Sequence, residues 1–103
     1  MPRPWVWEVV VIITGDMKPY SQKHIENYIV RTFDENVDTH ELVWHRDRRN
    51  RIVEIVNGTG WKFQMDNKVP IELKEGMKLE IPKETYHRVI KGDTPLTLKI
   101  IEF

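Results

Sequence analysis

Short apolar runs, not long helical stripes, dominate this chain. From position 40 onward, β-branched and aromatic residues alternate with polar ones, and Gly, Pro, Asn and Asp separate the runs. That period of two predicts strands over residues 41–46, 51–56, 61–66, 71–74, 77–81, 86–90 and 96–103. The breaks fall at Arg48-Arg49-Asn50, Asn57-Gly58-Thr59-Gly60 and Glu75-Gly76, and across 67–70, 82–84 and 91–95. Upstream, residues 5–14 read as a strongly apolar strand ended by Gly15-Asp16. One segment has helical spacing: in 21–29, Ser21 can cap, and Ile25, Tyr28 and Ile29 recur on one face. Residues 30–33 then read as a short strand. The pattern predicts an all-β chain, a small antiparallel barrel or sandwich with an N-terminal strand and one short helix. The strand and helix occupy 1–38 and the barrel 39–103.

Composition narrows the chemistry. At 103 residues there is room for one core and one domain. Basic and acidic side chains number 16 each, so the net charge is zero, whereas a phosphate-binding surface normally leaves a basic surplus. The basic run from His45 to Arg51 reads as a solvated hairpin with Arg46, Arg48 and Arg49 outward, because no Gly-rich loop or aromatic platform accompanies it. No nucleic-acid partner is expected. There is no Cys, which removes disulfides, thiolate catalysis and Cys-based zinc sites. The apolar run 5–14 carries Glu8 and is too short for a span of about 20 residues, so no membrane association and a cytoplasmic location are expected.

Any metal must therefore be held by His and carboxylate. Strand alternation puts Glu41, Val43, His45 and Asp47 on one face, and His87 falls in a later strand. Two imidazoles and a carboxylate can hold three adjacent positions of an octahedral ion and leave the rest open to water, dioxygen or substrate. A His-x-Asp pair is common by chance, however, and a strand histidine is more often structural than a ligand. His24 and His40 read as surface residues. Trp61, Phe63 and Met65 share a face and read as core, whereas Trp44 and Tyr86 point away from the His45 and His87 face.

The stretch from His45 to Lys91 resembles the two motifs of the cupin superfamily. The first runs Gly-x5-His-x-His-x3-Glu-x6-Gly, and His45 and Gly58 stand at its first His and last Gly. The second runs Gly-x5-Pro-x-Gly-x2-His-x3-Asn, and Gly76, Pro82 and His87 stand at its Gly, Pro and His. The resemblance implies a double-stranded β-helix, or jelly roll, and a metal-dependent activity of oxygenase or isomerase type. Thr39, Glu84 and Lys91 replace the remaining Gly, Gly and Asn of the motifs. Asp47 stands where the second His belongs, so a ligand is kept but its type changes. The layout is then similar to the His-x-Asp…His triad of double-stranded β-helix oxygenases, which implies His45, Asp47 and His87 as ligands of iron, manganese, nickel or zinc.

Arg51 stands at the position of the Glu ligand, and a guanidinium cannot bind a cation. Two readings stay open. In one, the metal remains on the triad and Arg51 receives an anionic group of a small-molecule substrate, with Lys99 as a further candidate for that role. In the other, Arg51 pairs with Asp47 or Glu41 in place of a metal, and the barrel is a metal-free ligand pocket. Glu41 is a candidate replacement ligand or the partner of Arg51.

The apolar first strand needs a cover, and the resemblance implies one: cupins often pair N-terminal strands across a dimer. A homodimer is expected. Sedimentation at micromolar concentration should give twice the 12.4 kDa chain mass, and monomer alone would remove the idea.

Overall fold

Alternation along β2 and β8 shows how this sequence makes a barrel. A computed structural model describes residues 19–38 and 42–103. Among them are eight strands and no helix: β1 Tyr20–Ile25, β2 Tyr28–Phe33, β3 Arg51–Asn57, β4 Lys62–Met65, β5 Ile71–Glu72, β6 Lys78–Ile81, β7 His87–Ile90 and β8 Leu96–Glu102. They form a five-stranded sheet in the order β1-β2-β8-β3-β6 and a three-stranded sheet in the order β5-β4-β7. Every pairing is antiparallel. None of the described residues forms a helix long and apolar enough to cross a membrane.

In β2, Ile29, Arg31 and Phe33 are buried and their neighbours are not. In β8, the buried positions are Leu96, Leu98 and Ile100. The register pairs them as Ile29 with Ile100, Arg31 with Leu98 and Phe33 with Leu96. On the other side of β8, Val53 pairs with Ile100 and Ile55 with Leu98. A one-residue slip would turn all of these outward, so burial of this face sets the register. One apolar cluster joins the five-stranded sheet to Trp61, Phe63 and Leu73 of the other side. Trp61 is fully buried; its ring lies 5.7 Å from that of Phe33 and its indole N–H donates to the Thr94 carbonyl.

Two expectations need correction. Residues 21–29 are not a helix but the end-to-end hairpin of β1 and β2, with Ile25 opposite Tyr28 across the turn Glu26-Asn27. The same residues fit both periods, and pairing of β2 with the long β8 decided between them. The strand expected over 41–46 is not continuous: among its described residues only His45 makes a bridge. The remaining barrel strands lie where alternation put them, within a residue or two at their ends. The strand expected over 5–14 lies outside the described residues, as do Thr39, His40 and Glu41.

The turns before β6 and β7 carry a backbone signature of the second motif. Gly76 adopts φ +87°, and Glu84, at the motif's inner Gly position, adopts φ +61°. That conformation lets the Glu84 N–H donate to the Asp47 carbonyl at 2.7 Å. The exposed Arg46–Glu84 ion pair at 3.1 Å contributes little. A left-handed conformation costs a residue with a Cβ about 1–2 kcal/mol, partly offset in glycine by its chain entropy. Urea unfolding should therefore show Glu84→Gly more stable by up to about 1 kcal/mol. Gly76→Ala should be less stable by about 1 kcal/mol, because its new Cβ would meet no atom within 4 Å and only the backbone conformation is at issue.

Candidate metal centre

Backbone hydrogen bonds set two histidines side by side. His45 N–H donates to the His87 carbonyl at 3.0 Å, and His87 N–H donates back at 2.8 Å. The bridge ties the segment ahead of β3 to the first residue of β7 and leaves the ring centroids 4.4 Å apart. His87 also packs against Phe63, ring centroids 5.6 Å apart. Two residues after His45, Asp47 is held through its carbonyl by Glu84. Ligand atoms of His45, Asp47 and His87 all lie within 4.8 Å of one another, so the three could hold a metal ion.

Each ring is oriented from behind. Nδ1 of His45 lies 3.1 Å from the Val43 carbonyl, and Nδ1 of His87 lies 2.8 Å from the Thr85 carbonyl. A carbonyl oxygen only accepts, so Nδ1 carries the hydrogen in both rings and Nε2 is turned toward Asp47. Backbone carbonyls behind Nδ1 commonly hold metal-binding imidazoles in this way. Nε2 of His87 lies 3.2 Å from Asp47 Oδ2, and Nε2 of His45 lies 3.9 Å from Oδ1. Nη1 of Arg51 also lies 3.2 Å from Oδ2. Neither 3.2 Å contact has hydrogen-bond geometry, and Oδ2 is buried without a donor. A buried carboxylate oxygen in that condition fits a cation.

Electrostatics favour the deprotonated forms of His45 and Asp47. Burial is the main cause that pulls His45 down to about 4, and the neighbouring His87 adds to it against the pull of Asp47. Burial pushes the Asp47 carboxyl up, but the contacts with His87 and Arg51 outweigh it and hold the group at about 2. Near neutral pH the centre offers a neutral His45 and a carboxylate, the forms a metal needs.

Arg51 sits beside this cluster with its fork turned to β8. Its Nε and Nη2 donate to Glu102 Oε2 at 3.0 and 2.7 Å. Lys99 is not brought to the site: in β8 it alternates with the buried Leu98 and Ile100, and its Nζ lies 4.6 Å from the centre of the Tyr28 ring. Two residues that enter the interior were not singled out from the sequence. Glu102 continues the inward row Leu96, Leu98, Ile100, and alternation alone could have found it. Arg31 lies in 30–33, already read as a short strand, but a basic residue on so short a stretch gave no sign of facing inward; in the longer β2 it sits between the buried Ile29 and Phe33 and faces inward with them. A cavity of about 40 Å³ lies among Arg31, His45, Arg51, His87 and apolar side chains.

Acid should weaken the metal-free protein in two stages. Unfolded His45 takes up a proton near pH 6.5 and the folded residue only near pH 4. Between those values the unfolded chain binds more protons, so stability falls as the pH is lowered. Asp47 adds a second loss as the pH falls from 3.8 to 2, because its carboxylate is favoured in the fold. Melting curves of chelator-treated protein should show a loss of about 3 kcal/mol over the first stage. His45→Gln should lack that stage.

Comparison with known proteins places this geometry in a wider set. No protein-family profile matches the sequence, and no curated protein matches it. Solved structures do match. A cupin domain from Bordetella pertussis Tohama I is 18% identical with a TM-score of 0.58, covering 81% of this chain and 88% of its own. A structure of the DMSP lyases RdDddP and RnDddQII gives 17% identity and a TM-score of 0.63 over 73% of this chain. HppE with iron(II) and substrate gives 11% identity and a TM-score of 0.60 over 82% of this chain. The chain spans 36% of that lyase and 52% of HppE, so it corresponds to part of each. With all-β antiparallel sheets and these structural neighbours, the chain has the cupin fold.

Proposed function

We propose that the chain is a metal-binding cupin domain in which His45, Asp47 and His87 hold one divalent ion, iron, manganese, nickel or zinc, for chemistry on a small anionic substrate. The observation that carries this reading is Asp47 Oδ2, buried without a donor between an imidazole nitrogen and a guanidinium. Structural neighbours such as the DMSP lyases and iron(II) HppE support it at the level of fold. A divalent ion there would supply Lewis acidity or redox chemistry. The protein's own part is to hold His45 and His87 by their Nδ1 hydrogens, to keep Asp47 ionised, and to line the approach with apolar side chains.

Arg51 is the obstacle, and Glu102 reduces it. Unit charges about 4 Å apart interact by roughly 4 kcal/mol at an effective dielectric of 20, so a bare guanidinium would oppose a divalent ion strongly. Two hydrogen bonds to one carboxylate oxygen make Arg51 and Glu102 nearly a neutral pair. Glu102 also draws the guanidinium away from Asp47. The second reading, a metal-free pocket in which Arg51 replaces the ion, is favoured by the 3.2 Å approach of Arg51 to Asp47.

Elemental analysis of protein purified without a His tag separates the two. The metal reading expects one equivalent, retained after dialysis and lost in His45→Ala, His87→Ala and Asp47→Asn. It also expects Glu102→Gln to weaken zinc binding by roughly tenfold, about 1.4 kcal/mol, because Arg51 then turns to Asp47. No metal in unmodified protein after loading with iron or zinc would leave the metal-free pocket standing.

A further inference from the structure

Arg31 is a buried cation that the proposed metal site does not use. It is 7% exposed and projects inward from β2 between Ile29 and Phe33. Its Nε donates to Gln22 Oε1 at 2.9 Å, and its guanidinium lies 3.9 Å from the centre of the Tyr20 ring. Those contacts take one N–H and one face. Among the described residues, no carboxylate lies within ion-pair distance of it: Asp47 and Glu102 both go to Arg51. Desolvation lowers its pKa from the ordinary guanidinium value, yet a guanidinium stays charged in a protein. A buried charge without a counter-ion costs several kcal/mol unless a ligand provides one.

The cavity says where that ligand sits and how large it is. Arg31 lines the same cavity as His45, Arg51 and His87. Its volume of about 40 Å³ gives room for roughly three water-sized groups, at about 10–15 Å³ each. A planar guanidinium fork matches a planar carboxylate, which has three heavy atoms in its head. Phosphate is bulkier, and its second charge would find no free cation, because Glu102 and Asp47 already occupy Arg51. A divalent ion on the triad would add positive charge near Arg31 and Arg51, which among the described residues face only the carboxylates of Asp47 and Glu102. An anionic ligand would then be needed all the more.

We propose that Arg31 is the receptor for the carboxylate of a small substrate, seated in the cavity between Arg31 and the His45–Asp47–His87 cluster. The assignment deepens the proposed function and rests on it for the role of the ligand as substrate; the binding step itself requires no metal.

The test uses acetate as probe on the full chain, both chelator-treated and zinc-loaded. In nitrogen-15 spectra of the unmodified protein, the Arg31 Nε–Hε signal should move with acetate at concentrations below about 50 mM, while Arg48 and Arg49 stay in place. Calorimetry should show Arg31→Gln binding acetate roughly tenfold or more weakly, with Arg31→Lys in between. An Arg31 signal indifferent to acetate, or undiminished binding in Arg31→Gln, would overturn the assignment. Saturable phosphate binding in preference to acetate would overturn the choice of carboxylate. Should Arg31→Gln fail to fold, the spectra of the unmodified protein decide alone. If zinc binds to no form while acetate still moves Arg31 in chelator-treated protein, the metal reading falls and the carboxylate site stands.

Discussion

The Asp47 carboxylate is contested, and the interior of this barrel is arranged around that contest. His87 and Arg51 each approach Oδ2 to 3.2 Å and neither completes a hydrogen bond. A carboxylate oxygen has two lone pairs, and a guanidinium, a proton or a metal ion could each take them. Glu102 decides how hard Arg51 can compete, by accepting two of its N–H groups. Backbone carbonyls behind both imidazoles decide that His87 and His45 offer nitrogen rather than hydrogen.

The surrounding fold exists in a form that holds these groups still. The reciprocal bond between His45 and His87, and the Glu84 N–H on the Asp47 carbonyl, join the segment before β3 to the turn before β7. The left-handed Glu84 is part of that join, so a locally strained residue serves the placement of Asp47. Apolar rows from β2, β8 and β3 line the cavity on the other side with Phe33, Leu98, Ile100, Val53 and Ile55. Arg31 lies within those rows, where a leucine would otherwise pack.

Much of this was legible from residue pattern. Alternation placed the barrel strands, and His45, Gly58, Gly76, Pro82 and His87 carried the family resemblance at its own spacing. The candidate ligands His45, Asp47 and His87 were named from that spacing, and the structure brings their ligand atoms together. Three features were not legible. Residues 21–29 satisfy helical and strand periods equally, and only pairing with β8 chose the strand. Arg31, in the stretch 30–33 already read as a strand, was not singled out, because a basic residue on a short strand gives no sign of facing inward. Lys99 was attractive as a charge on a late strand, but alternation with Leu98 and Ile100 turns it outward.

By itself, the sequence determined the class of structure and the available chemistry: alternation sets which strand faces are apolar, and the absence of Cys leaves only His and carboxylate for a metal. Partnerships were decided in three dimensions. Asp47, Arg51 and Glu102 span 56 positions of chain, and no local spacing says which carboxylate a guanidinium will choose. The pairing of β3 with β8, which sets Arg51 opposite Glu102, decides it. The neutral net charge conceals the outcome: among the described residues, Asp47 and Glu102 both face Arg51, and Arg31 is left facing a cavity.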